Sequence, residues 1–391
     1  MKMTTIFLFY SLNFSITTCQ IYYGCYYLIT LPMDPVRKDK KKLKKIRIYL
    51  KTHRYLTPLN FQQERRIFFK DNKYNPQIRY PVIAQTKLKH LEEEIEKMPI
   101  PQARDFESYI YKRKLKETEL KLRLLMAIGT SSVTSISTLL YQLKFDEKTL
   151  ESAKKDASFK VNSRSNKPRK SFDITKAVTD YLENYQIKNW KIILGKRYDF
   201  SFQILPKSKL IKLGRNLTRV AANLEYSLAH EIDGHVVRAQ NAQKQENKMY
   251  RNIFPFYIKT EEGLACYLGD YFSKNGEVER KNHALSFLAA YFAKTHTFSE
   301  TYKYLTGQGM TSDLAFQKTF RLKRGLTNTE WPGVFAREAI YYEGMLEVKN
   351  YLDKGGDIRK LYAGKVGLDM LNFLPIPKNQ ILPNRLLASL N

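Results

Sequence analysis

Two stretches decide how this chain reads: SLAHEIDGHVVRAQ at 227–240 and KTEEGLACYLGDYF at 259–272. The first sets His230, Glu231 and His235 close together in a chain that has 6 histidines in all. Two histidines on one helix can hold a metal ion, with the glutamate after the first as general base, and their usual spacing is four residues. That spacing stacks both imidazoles on one face. Here it is five. On an ideal helix five residues rotate the second ring by about 140°, so a regular α-helix could not chelate with this pair. A one-residue π-bulge or a local break would repair the geometry, and such bulges occur mostly at functional sites. Asp233 and Gly234, both poor helix formers, stand where the helix would have to yield. Spacing alone leaves two readings open: a metal-binding pair, or two ordinary histidines, one packed and one exposed.

The second stretch reads as a helix beginning near Thr260, with Thr260 as its N-cap. Glu262, Cys266 and Gly269 lie on one stripe of it, with Ala265 beside them. Small residues there would let it approach the histidine helix closely, so that Glu262 completes a His2Glu site. Three protein ligands and one open position describe a catalytic zinc rather than a structural one. The plainer alternative is that Glu261 and Glu262 are first-turn carboxylates favoured by the helix dipole. Cys266 reads as a small core residue rather than a ligand.

Outward from these segments the chain reads as a helix-rich α+β protein. Residues 84–126 place apolar side chains three and four apart, as a helix does. GTSSVTSIS at 129–137 is a polar break, and the Lys/Ser/Asn-rich 154–171 reads as a linker. Short strands are expected at Trp190–Leu194, Phe200–Leu205 and Leu210–Leu213, then helix again from Asn216, capped by Asn216 or Thr218. The small sheet would therefore sit just before the histidine helix. No repeat is visible, which argues against solenoids and propellers.

The 391 residues carry 67 Lys+Arg against 38 Asp+Glu, a formal net charge of +29. That balance predicts attraction to something acidic without specifying what. Glycine and proline are too scarce for a collagen-like or low-complexity chain. Three cysteines exclude a disulfide framework and suit a reducing, cytoplasmic setting. From Met3 to Met33 there is no charged residue, whereas Arg37 to Arg54 carries ten Lys/Arg and one Asp. That pattern suits a membrane anchor with a cytoplasmic flank. The stretch is also studded with Ser, Asn, Thr and Gln, and the preferred reading is a chain whose translation starts at Met33, or an unstructured leader. A signal peptide is disfavoured, because no small-x-small cleavage site follows. The expected organisation is a leader plus basic run at 1–54 that need not join the fold, and a single domain at 55–391. Within that domain come a helical part at 84–150, the linker, and a catalytic part at 172–391.

HEIDGHVVR followed by TEEGLA resembles the metallopeptidase family of the microtubule-associated tyrosine carboxypeptidases, whose bacterial members are called QEGLA-motif proteins. AIGTSSVTSISTLLYQ at 127–142 and Arg324-Gly325 with PGVFAREAIYYEGMLEV at 332–348 resemble further segments of that family. The likeness runs over roughly residues 55–385. It implies a zincin-like metallopeptidase in which His230, His235 and Glu262 bind one zinc ion per chain and Glu231 is the catalytic base. There are departures. Glu261 stands where the family usually has Gln, Ala336, Arg337 and Glu338 replace Thr-Lys-Asp, and Tyr342 replaces Leu.

The resulting expectation is a zinc carboxypeptidase acting on a peptide or protein C-terminus, with an acidic tail compatible with the basic charge. An exopeptidase of this kind needs a cation for the terminal carboxylate, for which Arg238 and Arg324 are the candidates. Tyr341 could donate a hydrogen bond to the oxyanion. An endo- or aminopeptidase with the same site is the near alternative. A non-catalytic basic binding module is the distant one, against which an intact Glu231 argues. Specific nucleic-acid binding is not expected, since no such module appears. Membrane contact is expected only if the 3–33 leader is real.

Overall fold

A computed structural model describes residues 36–383, apart from 103–104, 161–170, 196–201, 215–222, 246–247 and 252. The apolar 3–33 stretch and the caps expected at Asn216 and Thr218 lie outside the described residues. The fold is mostly helical with one three-stranded sheet, as the sequence pattern suggests.

The basic run is not a loose tail. Residues Val36–Tyr49 form a helix because Leu43, Ile46 and Leu50 recur at helical spacing. All three are buried, packed with Leu88, Leu91, Tyr111 and Leu115, and each such burial is worth about 1.5–3 kcal/mol. The 84–126 region is two helices, Gln85–Glu96 and Phe106–Met126, because Pro99 and Pro101 lie between them and proline cannot continue a helix. Asp105 caps the second by accepting the Ser108 N–H. Both ends of the expected linker are helical, and its positions 161–170 lie outside the described residues. Residues up to Ala157 belong to the helix Glu147–Ala157, and Ser171 opens the helix Ser171–Asn184.

The sheet comprises β1 (Lys191–Leu194), β2 (Phe202–Leu205) and β3 (Leu210–Leu213). Its order is β1-β3-β2, with β1 parallel and β2 antiparallel to β3. β1 begins at Lys191 rather than Trp190. On the central strand Ile211 and Leu213 are wholly buried, in one cluster with Ile232 and Val236 of the histidine segment. That packing anchors the histidine segment on the sheet. A second, larger cluster unites helices Gly276–Ala293, Phe298–Gly307 and Ser312–Leu322 through Phe68, Phe287, Phe298, Phe316 and Phe320. Among the described residues no helix is long and apolar enough to cross a membrane.

Candidate metal centre

The histidine segment spans 224–244 and is not a uniform helix. Leu224–Leu228 is α-helical, Ala229–Val236 is a π-helix, and Val237–Lys244 is α-helical again. A π-turn bonds residue i to i+5, so the five-residue spacing becomes one turn and both imidazoles reach the same face. Their ring centroids lie 5.2 Å apart. The widened turn has local support: Tyr181 donates a hydrogen bond to the buried Asp233 carboxylate at 2.9 Å. Gly234 lets the segment touch its neighbour, because a Cβ there would fall 2.6 Å from the Ala265 Cβ.

That neighbour is the glutamate helix, Ile258–Phe272. It begins two residues before Thr260, with Tyr257 at the N-cap position and no side-chain cap. Thr260 is buried instead, and its hydroxyl accepts the Leu368 N–H at 2.9 Å. On the opposite side the glutamate helix crosses the tyrosine helix, Ile340–Asp353, at a pair of glycines. A Cβ on Gly263 would lie 2.2 Å from the Gly344 carbonyl carbon, and one on Gly344 would lie 2.3 Å from the Lys259 oxygen.

These contacts bring His230, His235 and Glu262 together, with one ligand atom from each within 4.8 Å of the others, as a group that could hold a metal ion. Glu262 Oε2 is 3.6 Å from His235 Nε2 and 3.9 Å from His230 Nε2. Tetrahedral ligation at about 2.0–2.1 Å would put donor atoms about 3.3 Å apart, so a modest contraction suffices and the donor set fits a zinc ion. Cys266 is fully buried, its Sγ 4.0 Å from His230 Nδ1, on the side away from the triad. Burial raises its thiol well above the ordinary value, as befits a core residue.

The triad opens into a cleft of about 1250 Å³ that Glu231, Arg324, Arg337, Tyr341 and the edge strand β2 also line. Burial pushes the Glu231 carboxyl up to about 7, with Glu262 adding to the rise and His235 opposing it. Tyr341 stacks on His283 at 5.5 Å and on His230 at 6.4 Å. Burial, then the Glu262 charge, raises its phenol well above 10, so it stays a donor. Arg324 has its Nε buried without a hydrogen-bond acceptor among the described residues. Burial, Arg321 and Arg337 all work against its charge.

Of the two arginines expected to meet a substrate carboxylate, Arg238 does not line the cleft. It is wholly buried, donating to Glu261 Oε2 at 2.6 Å and to the Val366 carbonyl at 3.1 Å. Two residues beyond the widened segment, it faces the core. Arg337, which sequence reasoning noted only as a replacement, reaches within 3.7 Å of Glu262 Oε1. Lys365 had no signal at all: it pairs with Glu261 across 104 positions of sequence.

The class defined so far is a mostly helical α+β protein with a His, His, Glu candidate metal site at the floor of an open cleft. Residues 65–379 match the family described as microtubule-associated tyrosine carboxypeptidase, and the chain belongs to that family. Human MATCAP2 is 31% identical to it over 169 residues, covering 41% of this chain and 32% of that protein. The rat Microtubule-associated tyrosine carboxypeptidase 1 is 30% identical over 130 residues, 32% of this chain and 27% of that protein, and its human counterpart is 29% identical over the same length. The chain thus spans about a third of the length of the curated relatives it matches.

Proposed function

We propose that this protein is a zinc-dependent carboxypeptidase of zincin-like architecture, removing a C-terminal residue, tyrosine-type by its family, from a peptide or protein. His230, His235 and Glu262 would hold the metal. Zinc bound there supplies Lewis acidity toward a carbonyl oxygen. The chain's own residues do the rest. Glu231, held near neutrality by burial, takes the proton of the attacking water and returns it to the leaving amine. Tyr341, kept protonated, donates to the oxygen on which negative charge develops. Arg324, with Arg337 beside it, receives the terminal carboxylate, and a guanidinium can do so with two parallel bonds. The outer edge of β2, unpaired among the described residues, runs along the cleft and offers backbone groups to an extended chain.

The observation that carries this reading is the coincidence, in one cleft, of the metal triad, Glu231 and Arg324. The test is elemental analysis of the purified protein followed by peptide hydrolysis. One zinc per chain, lost in His235→Ala, with cleavage of peptides bearing a free but not an amidated C-terminus, supports the proposal. Zinc-free folded protein sinks it, and equal cleavage of both peptides converts it to an endo- or aminopeptidase.

A further inference from the structure

Behind His235 lies a buried charge cluster that the reaction above does not use. His235 Nδ1 is 2.9 Å from Glu261 Oε1, while its other nitrogen, Nε2, faces Glu262. Glu261 is itself held by two cations: Arg238 Nη1 donates to Oε2 at 2.6 Å and Lys365 Nζ to Oε1 at 2.8 Å. Glu261 is 3% exposed and Arg238 not at all. Lys365 reaches the cluster from the C-terminal segment and also lies over the Tyr257 ring at 5.2 Å. We propose that Glu261 is a positioning residue for the metal site: clamped by Arg238 and Lys365, it fixes His235 with the proton on Nδ1 and the lone pair of Nε2 aimed at the triad.

The inference rests on the reading of His230, His235 and Glu262 as metal ligands, and follows from donor and acceptor counting. An ionised carboxylate only accepts, so the imidazole nitrogen facing it must carry the hydrogen. Nε2 is then the free lone pair, as a metal ligand requires, and the partner's negative charge raises the basicity of the ring. Both Glu261 oxygens are occupied by cations as well. A glutamine here has one accepting oxygen and an NH2, which would point its donors at Arg238 or at His235 and Lys365. The two cations therefore fit the glutamate that this chain carries. They also explain why Arg238 is buried: it neutralises Glu261 rather than waiting for substrate. Lys365 makes the 365–366 segment, which also accepts from Arg238 through the Val366 carbonyl, part of the site's support.

The test is zinc affinity, measured by competition with a chromophoric chelator on the full chain, for wild type, Glu261→Gln and Lys365→Met. The visible spectrum of the cobalt-loaded protein is a second readout. Partners of ligating histidines typically change affinity by about 10–100-fold. Glu261→Gln is expected to bind zinc at least tenfold more weakly and to shift the cobalt bands, which a purely structural ion pair would leave in place. Lys365→Met, on a partly exposed side chain that folding can spare, is expected to lose a few-fold with the same direction of spectral shift. Unchanged affinity and spectra in both folded variants overturn the proposal while leaving the metal reading intact. A folded wild type that binds no zinc overturns both. If Glu261→Gln fails to fold, the Lys365→Met result decides.

Discussion

Replacing Gly263 with alanine adds a single methyl, yet it should loosen the whole centre. The new Cβ would stand 2.2 Å from the Gly344 carbonyl carbon and 2.3 Å from its oxygen. Ordinary contact begins near 3.4 Å, so the glutamate and tyrosine helices must part by roughly 1 Å. Neither obstacle is a side chain, so no rotamer change can relieve it. Overpacking of this kind costs about 1–3 kcal/mol, and the upper end applies where backbone meets backbone. Alanine's helical preference returns about 1 kcal/mol, leaving a net loss of about 2 kcal/mol. Metal geometry is less forgiving than stability, since ligand distances hold within about 0.2 Å and Glu262 adjoins the altered residue. Zinc affinity should therefore fall at least tenfold. Urea unfolding with chelator present isolates the packing loss, and chelator competition reads the metal. Gly307→Ala is the control, because a Cβ there meets nothing within 4 Å; it should stay within about 1 kcal/mol of wild type. A Gly263→Ala protein that unfolds at the wild-type urea concentration and keeps its zinc would refute the reasoning.

Three further outcomes are expected. Glu231→Gln should keep its zinc but lose about 10²–10⁴-fold in turnover of a free-C-terminal peptide; retained turnover removes Glu231 from the chemistry. Arg324→Met should lower kcat/KM for that peptide by about 10–100-fold, the worth of a hydrogen bond to a charged group; an unchanged value moves carboxylate recognition elsewhere in the cleft. Acid stability gives the third. Burial works against an ionised Glu338, but Lys318 and Arg321 together hold its carboxyl well below the ordinary 4.5. The unfolded chain therefore takes up this proton first, and the contribution is complete above pH 4.5 and lost as pH falls toward the lowered folded value. Lys318→Met should flatten the decline of urea stability below pH 4.5, and a curve parallel to wild type would contradict the pairing.

Much of the centre was legible in sequence because its causes are local. With a five-residue histidine spacing and Asp233 and Gly234 inside it, chelation needed a widened turn or a break, and Ala229–Val236 is a π-helix. The small residues on the Glu262 stripe, with Ala265 beside them, implied close helix approach, and Gly234 against Ala265 is that approach. What stayed hidden depends on pairings distant in the chain. The direction in which Arg238 points is set by Glu261 and Val366, and composition near residue 238 says nothing of either. Thr260 looks like an N-cap by type, but Leu368, 108 positions away, takes its hydroxyl. The basic run at 37–54 hid its apolar seam of Leu43, Ile46 and Leu50 beneath a conspicuous charge.

The π-turn also has a consequence for tolerance to insertion. It absorbs one surplus residue inside the helix, so the flanking α-helical stretches keep their phase with the core. Tyr226 and Leu228 before it and Val237 and Ala239 after it all remain buried. Deleting Asp233 would let the widened turn relax to an ordinary α-helical one, with the histidines at the familiar four-residue spacing and Val236, Val237 and Arg238 keeping the phase that buries them. The surplus residue and the widened turn come and go together, and what the shorter helix would lose is the hydrogen bond that Tyr181 donates to Asp233.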